Sequence, residues 1–210
     1  MNKGPVKLQK PQLCLVTDPT VPDLAHRVEI ALDAGITMLQ VRGPQLSAHQ
    51  LYDLALDLCP LCQHYGATCI INDRIDVGLA VQAHGFQLGQ NSLPIATVRD
   101  FVGPDYLLGA SVHNLDEARN ALLQEADFLL AGTIFDSRSH PGEPTSGLTF
   151  LSAVKQAYAQ SMLLAIGGIS ADNAREVMDA GADGIAVISA VLSTQHVGRA
   201  VSVLRRAIGL

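Results

Sequence analysis

Ser111 and His113 stand two positions apart at the end of an apolar run, Leu107–Val112. A histidine titrates near neutral pH and moves a proton in either direction, and the serine beside it offers a hydroxyl to a ligand. The plain alternative is a loop or helix-capping histidine. Gln40 and Arg42 end another apolar run; the guanidinium suits a phosphate or a carboxylate, or pairs with Asp18 or Asp73. Asn72 and Asp73 end a third. Asp73 suits a hard cation such as Mg²⁺, or it holds Arg74, or it caps the next helix. Ala165–Ile169 contains Gly167 and Gly168, which let backbone N–H groups approach an anion closely; Ile188 and Ser189 add donors from the next run. The alternative there is a tight turn that needs glycine for sterics. Ser137, Arg138 and Ser139 offer hydroxyl and guanidinium donors in a loop, or form an exposed turn. His140 beside them is a lid residue or solvated surface.

Other chemistries find little support. Cys59 and Cys62 have redox-like or metal-like spacing but sit inside a helical pattern without a second pair, whereas structural zinc takes four ligands. Cys14, Cys59, Cys62 and Cys69 therefore read as buried reduced thiols. Lys3, Lys7 and Lys10 lie at the start of the chain, and the only other lysine, Lys155, falls in an expected helix, Leu148–Gln160. Schiff-base chemistry would need one of them turned into the site. With 14 basic and 20 acidic residues the net charge is -6, which argues against a nucleic-acid partner. No apolar run is long enough to span a bilayer, and Met1–Lys10 lacks a signal peptide's apolar core. The expected location is cytoplasmic, with no membrane partner. At 48% hydrophobic and 16% charged residues, the 210-residue chain fits one folded domain.

The elements that must position these groups alternate regularly. Expected strands are Leu13–Thr17, Met38–Arg42, Thr68–Asn72, Gly85–Gly89, Leu107–Val112, Phe128–Ile134, Leu163–Ile169 and Gly184–Ser189. Helical periodicity lies between them: Asp23–Ala34, Ser47–Tyr65 and Ala171–Ala180, the last with Ser170 as N-cap. Gly35, Gly66 and Gly181 follow these helices as left-handed stops. Strand–helix alternation demands right-handed parallel crossovers. About eight such units suit a closed (β/α)8 TIM barrel, an α/β fold, over residues 11–210, behind a flexible basic tail, residues 1–10. A doubly wound open sheet is the runner-up, without its glycine-rich fingerprint on the first strand. In a barrel the site forms where the strands end, and each candidate above lies at such an end or in the long loop from Phe135 to Gly147.

At these residues the chain resembles the thiamine phosphate synthase/TenI superfamily. The similarity runs through Leu15–Thr17, Leu39–Arg42, Ile71–Asp73, Gln87–Gln90, Ser111–His113, Gly132–Ile134, Ala165–Ile169 and Val187–Ser189, in order and nearly end to end. It implies a β/α barrel in thiamin biosynthesis, often a homodimer, with a small phosphorylated thiazole as ligand. Two activities share the fold. A synthase joins a pyrimidine pyrophosphate to a thiazole phosphate and expels pyrophosphate. A TenI-like tautomerase moves a proton on thiazole carboxylate phosphate. Gln40, Arg42, Asn72, Asp73 and Ser111 match the synthase's substrate and pyrophosphate pattern, and Gly168, Ile188 and Ser189 its thiazole-phosphate pattern. Three departures stand out: Pro44 replaces a lysine, Ser92 a metal-binding aspartate, and Ser137-Arg138-Ser139-His140 a Thr-x-Thr-Lys loop. Because departing pyrophosphate needs cations to neutralise it, these losses favour a metal-independent thiazole tautomerase, an isomerase. His113 would then carry the proton, Gly167, Gly168 and Ser189 would hold the phosphate, and Arg42 or the 137–140 loop the carboxylate. No cofactor is expected under that reading. The alternatives are the synthase, a transferase with Mg²⁺ on Asp73, and a non-catalytic phosphate-binding or regulatory barrel.

Overall fold

The computed structural model describes residues 7–137, 142 and 144–210. Ser139 and His140, expected at the site, lie outside them, as does Arg138. Eight parallel strands close into a barrel: β1 Gln12–Val16, β2 Met38–Val41, β3 Thr68–Asn72, β4 Gly85–Leu88, β5 Leu107–Val112, β6 Phe128–Ala131, β7 Leu163–Ile166 and β8 Gly184–Val187. β1 pairs with β8, Leu13 against Ile185. That closure decides between the barrel and the open sheet. The helices between strands are α1 Leu24–Asp33, α2 Ala48–His64, α3 Ile75–Ala80, α4 Ile95–Val102, α5 Leu115–Leu123, α6 Gly147–Ala157 and α7 Ala174–Asp179. Short α8 Ser189–Leu192 and α9 Val197–Ile208 follow β8.

Strands covered on both faces must be apolar almost throughout, and these are. Their alternate residues serve two cores. Leu13, Leu15, Leu39, Cys69, Ile71, Leu129 and Ile185 face outward into the layer shared with the helices. Cys14, Val16, Met38, Ile70, Leu107, Phe128, Leu130, Leu164 and Ala186 fill the barrel interior. The period of two then decides what lies above that packed interior. It carries Met38 to Gln40 and Arg42, Ile70 to Asn72, and Leu107 through Gly109 to Ser111 and His113. One face of each strand is thus apolar at the base and polar at the mouth.

The base is closed by packing and charge. Leu8 packs against the interior core. Asp183, just before β8, accepts Lys155 Nζ at 2.7 Å and Lys10 Nζ at 2.8 Å. Lys155 is therefore neutralised at the end of the barrel away from the strands' C-terminal mouth, and among the described residues no lysine lines the mouth for Schiff-base chemistry. Several expected boundaries shift. β6, β7 and β8 end two or three residues early. At β7, Gly167 and Gly168 leave the extended region with φ of 104° and 63°, which ends the strand there. The expected N-cap Ser170 is not used; α7 starts after Asn173, whose Oδ1 accepts the Ser170 N–H at 2.9 Å. Gly35, Gly66 and Gly181 do take positive φ behind α1, α2 and α7. All four cysteines are buried and none forms a disulfide, with Cys59 and Cys62 inside α2. No helix among the described residues is long and apolar enough to cross a membrane.

Candidate active site

The mouth of the barrel opens on a cavity. It brings together Gln40, Arg42, Asn72, Ser111, His113, Ser137, Gly167, Gly168, Ile188 and Ser189, ten of the residues expected at the site. Asp73 does not line the cavity; it stands beside it, bonded through Asn72 Nδ2 to Oδ2 at 2.7 Å.

On the β2–β3 side, buried Gln40 donates from Nε2 to Asn72 Oδ1 at 2.8 Å. This fixes the amide of Asn72, whose Nδ2 then faces Asp73. Asp73 has φ of 58°, a left-handed conformation that aspartate tolerates better than most residues. Its Oδ1 accepts the hydroxyl of Ser92 from the loop after β4. It does not hold Arg74, which pairs with Asp76; the Arg74 guanidinium keeps the Asp76 carboxyl below its ordinary range. Arg42 is anchored through its main chain alone. Thr17 Oγ1 accepts the Arg42 N–H and donates to the Arg42 carbonyl, both at 2.8 Å. Its guanidinium has no partner among the described residues, so neither Asp18 nor Asp73 claims it. An uncommitted guanidinium in a cavity wall is an anion receptor by its chemistry.

On the β4–β5 side, Gln87, almost fully buried, donates to Ser111 Oγ at 3.0 Å. Gln90 Nε2 donates to the Ser111 carbonyl at 2.7 Å and to Glu117 Oε2 at 3.0 Å. The same Glu117 oxygen accepts the His113 N–H at 2.8 Å and lies 2.9 Å from His113 Nδ1. Glu117 Oε1 takes Asn114 Nδ2 at 2.6 Å, while Asn114 caps α5. Gln87 and Glu117 were not among the expected site residues. Gln87 was detectable as an amide at an inward position of an apolar strand. Glu117 was masked because Asn114-x-x-Glu117 reads as a helix-capping arrangement, which it also is.

The β7–β8 side supplies donors from the main chain. The N–H groups of Gly168, Ser189 and Ala190 meet no acceptor among the described residues, and Ser189 adds its hydroxyl. The glycines themselves have a steric cause. A Cβ at Gly168 would come within 2.4 Å of the Asp136 carbonyl oxygen, and one at Gly167 within 2.5 Å of Thr133 Cγ2. The turn needs glycine whatever it binds, so the anion reading rests on the free donors. Ser137, from the loop after β6, completes the rim.

A parallel (β/α)8 barrel whose mouth carries main-chain and hydroxyl donors on one side and a free guanidinium among amides on another is equipped to hold anionic groups there. The model of the family described as thiamine monophosphate synthase matches residues 13–191, and the chain belongs to that family. The thiamine-phosphate synthase of Pyrococcus horikoshii is 38% identical over 200 residues, 95% of this chain and 96% of the relative. That of Nostoc sp. is 39% identical over 90% of this chain, which spans only 53% of that longer relative. Among solved structures, the thiamine phosphate pyrophosphorylase of Pyrococcus furiosus superposes with a TM-score of 0.87 at 36% identity, covering 95% of this chain and 96% of that one.

These findings correct the expected activity. The relatives are named as synthases, so the tautomerase reading, the isomerase class and the lean toward the TenI-like branch fall. The expectation that no cofactor is needed was tied to that reading and loses its basis. The physical error was to count countercharge by side-chain type at fixed positions. Missing lysines weaken a site only if nothing else neutralises the anion, and the sequence could not show that Arg42 is uncommitted.

Proposed function

We propose that the chain is a thiamine-phosphate synthase, a transferase that joins a pyrimidine diphosphate to a thiazole phosphate and releases diphosphate. The observation that carries this reading is the free guanidinium of Arg42, set in a wall of neutral amides and apart from the donors at β7–β8. One cavity then offers separate holds for two phosphorylated partners. The thiazole phosphate sits against the N–H groups of Gly168 and Ser189 and the Ser189 hydroxyl, with Gly167 and Ile188 shaping the turn. Gln40, Asn72 and Ser111 orient the pyrimidine from below and beside. Arg42 receives the diphosphate. As the bond to diphosphate breaks, negative charge grows on the leaving oxygens, and preorganised donors stabilise it more than they stabilise the bound substrate. Ser137 and His113 close the remaining wall. Holding the two reactants side by side converts a bimolecular encounter into a local one.

Mg²⁺ fits this site as a companion of the diphosphate. Such ions are commonly held by one or two carboxylates together with substrate phosphates and water. Asp73 supplies one carboxylate, and its present partners, the Ser92 hydroxyl and the Asn72 amide, are neutral donors that a cation can replace. No group of three or more His, Cys, Asp or Glu among the described residues could hold a metal, so Asp73 would share the ion with the ligand. Bound there, it would supply positive charge to the leaving group.

The test is direct. The purified protein is mixed with both substrates and Mg²⁺, and thiamine phosphate and diphosphate are measured. The expected result is the two products in equal amounts, with turnover abolished by a chelator. No diphosphate release above the enzyme-free control refutes the reading.

A further inference from the structure

We propose that Glu117 is a positioning residue that sets the tautomer of His113, so that the ring meets the ligand with a fixed nitrogen. This rests on the placement of His113 at the ligand site proposed above. His113 lines the cavity, and its Nδ1 faces Glu117 Oε2 at 2.9 Å. A carboxylate only accepts, so Nδ1 carries the hydrogen. Which ring nitrogen is protonated is set by the bond the other one makes. In the neutral ring, therefore, Nε2 carries a lone pair. Nε2 has no partner among the described residues, so the neutral ring offers the cavity an acceptor. It selects a ligand group that donates, such as an amine or amide N–H, and disfavours a bare anion.

Glu117 is built for this task. Its carboxylate cannot rotate freely, because the His113 N–H and Gln90 Nε2 hold Oε2 and Asn114 Nδ2 holds Oε1. Those bonds come from the end of β5, the loop after β4 and the start of α5. Three segments thus share one anion that never enters the cavity; Glu117 lines the outer cleft between α4 and α5 instead. Removing such an outer partner commonly costs 10–100-fold where the oriented histidine matters, as measured at metal sites.

Nitrogen-15 NMR of the full chain without ligand reads the tautomer directly. Neutral His113 is expected as the Nδ1–H form in the wild type and to lose that form in Glu117→Ala and, to a smaller extent, in Glu117→Gln. A wild-type ring in the Nε2–H form, or a tautomer unchanged in Glu117→Ala, overturns the proposal. A double-mutant cycle on kcat/KM separates positioning from structural support. Glu117→Ala should lower kcat/KM about 10-fold in the wild type and less than about twofold in a His113→Ala background. Equal losses in both backgrounds overturn it. If Glu117→Ala fails to fold, Glu117→Gln carries the same cycle with a smaller expected loss. Absence of synthase turnover would sink the functional reading while leaving the tautomer measurement decisive for Glu117.

Discussion

Truncating Arg42 to alanine should separate activity from stability. The side chain has no hydrogen-bond or ion-pair partner among the described residues, and the bonds that hold its main chain to Thr17 use backbone atoms and the Thr17 hydroxyl, which survive the substitution. A change that breaks no buried contact commonly moves stability by less than about 0.5 kcal/mol. The loss at the transition state is larger. Removing one preorganised donor from developing anionic charge costs about 2.7–4 kcal/mol, or about 10²–10³ in kcat. Arg42→Lys keeps the charge but loses the planar fork, and should recover part of that loss. Steady-state kinetics with each substrate varied in turn, beside urea unfolding of the same samples, gives both numbers. The reasoning fails if Arg42→Ala turns over within twofold of wild type. It fails equally if unfolding free energy drops by more than about 2 kcal/mol, because the guanidinium would then be a structural group.

Two further perturbations test other parts of the structure. Gly168→Ala puts a methyl group 2.4 Å from the Asp136 carbonyl oxygen at φ of 63°; left-handed cost and overpacking together predict about 2–5 kcal/mol lost in urea unfolding, with weaker thiazole-phosphate binding by calorimetry. An unchanged midpoint would show that the loop after β6 moves aside freely. Burial pushes the Cys14 thiol up to about 12 from 9.0. Below about pH 9 both folded and unfolded forms keep the proton. Above it the unfolded chain releases the proton first, so stability falls as pH rises toward 12, at about 1.4 kcal/mol per pH unit for each such thiol. Cys14→Ala should flatten that slope in urea titrations between pH 9 and 11, and an identical slope in both proteins would refute the assignment.

Local chemistry made much of the barrel legible. Apolar runs of four to six residues, helical periodicity between them and glycine behind α1, α2 and α7 are short-range signals, and each is present in the structure. Gln40 with Arg42 and Ser111 with His113 were legible as polar groups at strand ends, and strand ends in a barrel converge on one mouth. Ten of the expected residues therefore meet around one cavity. Glycine at 167 and 168 was equally legible, but its cause was not. Only the packed loop after β6 shows that sterics alone require it.

The periodic pattern of apolar and polar positions is a local property of the chain, because secondary structure and strand facing follow from neighbours a few residues away. Which side chain holds which is instead settled by packing between distant segments. Arg42 is free although Asp18 and Asp73 were possible partners, Lys155 is neutralised at the base by Asp183, and Glu117 serves His113 as well as its helix. Charge and hydrogen-bond strength depend on distances of a few ångströms between segments far apart in the chain, and those distances exist only once β1 has closed onto β8.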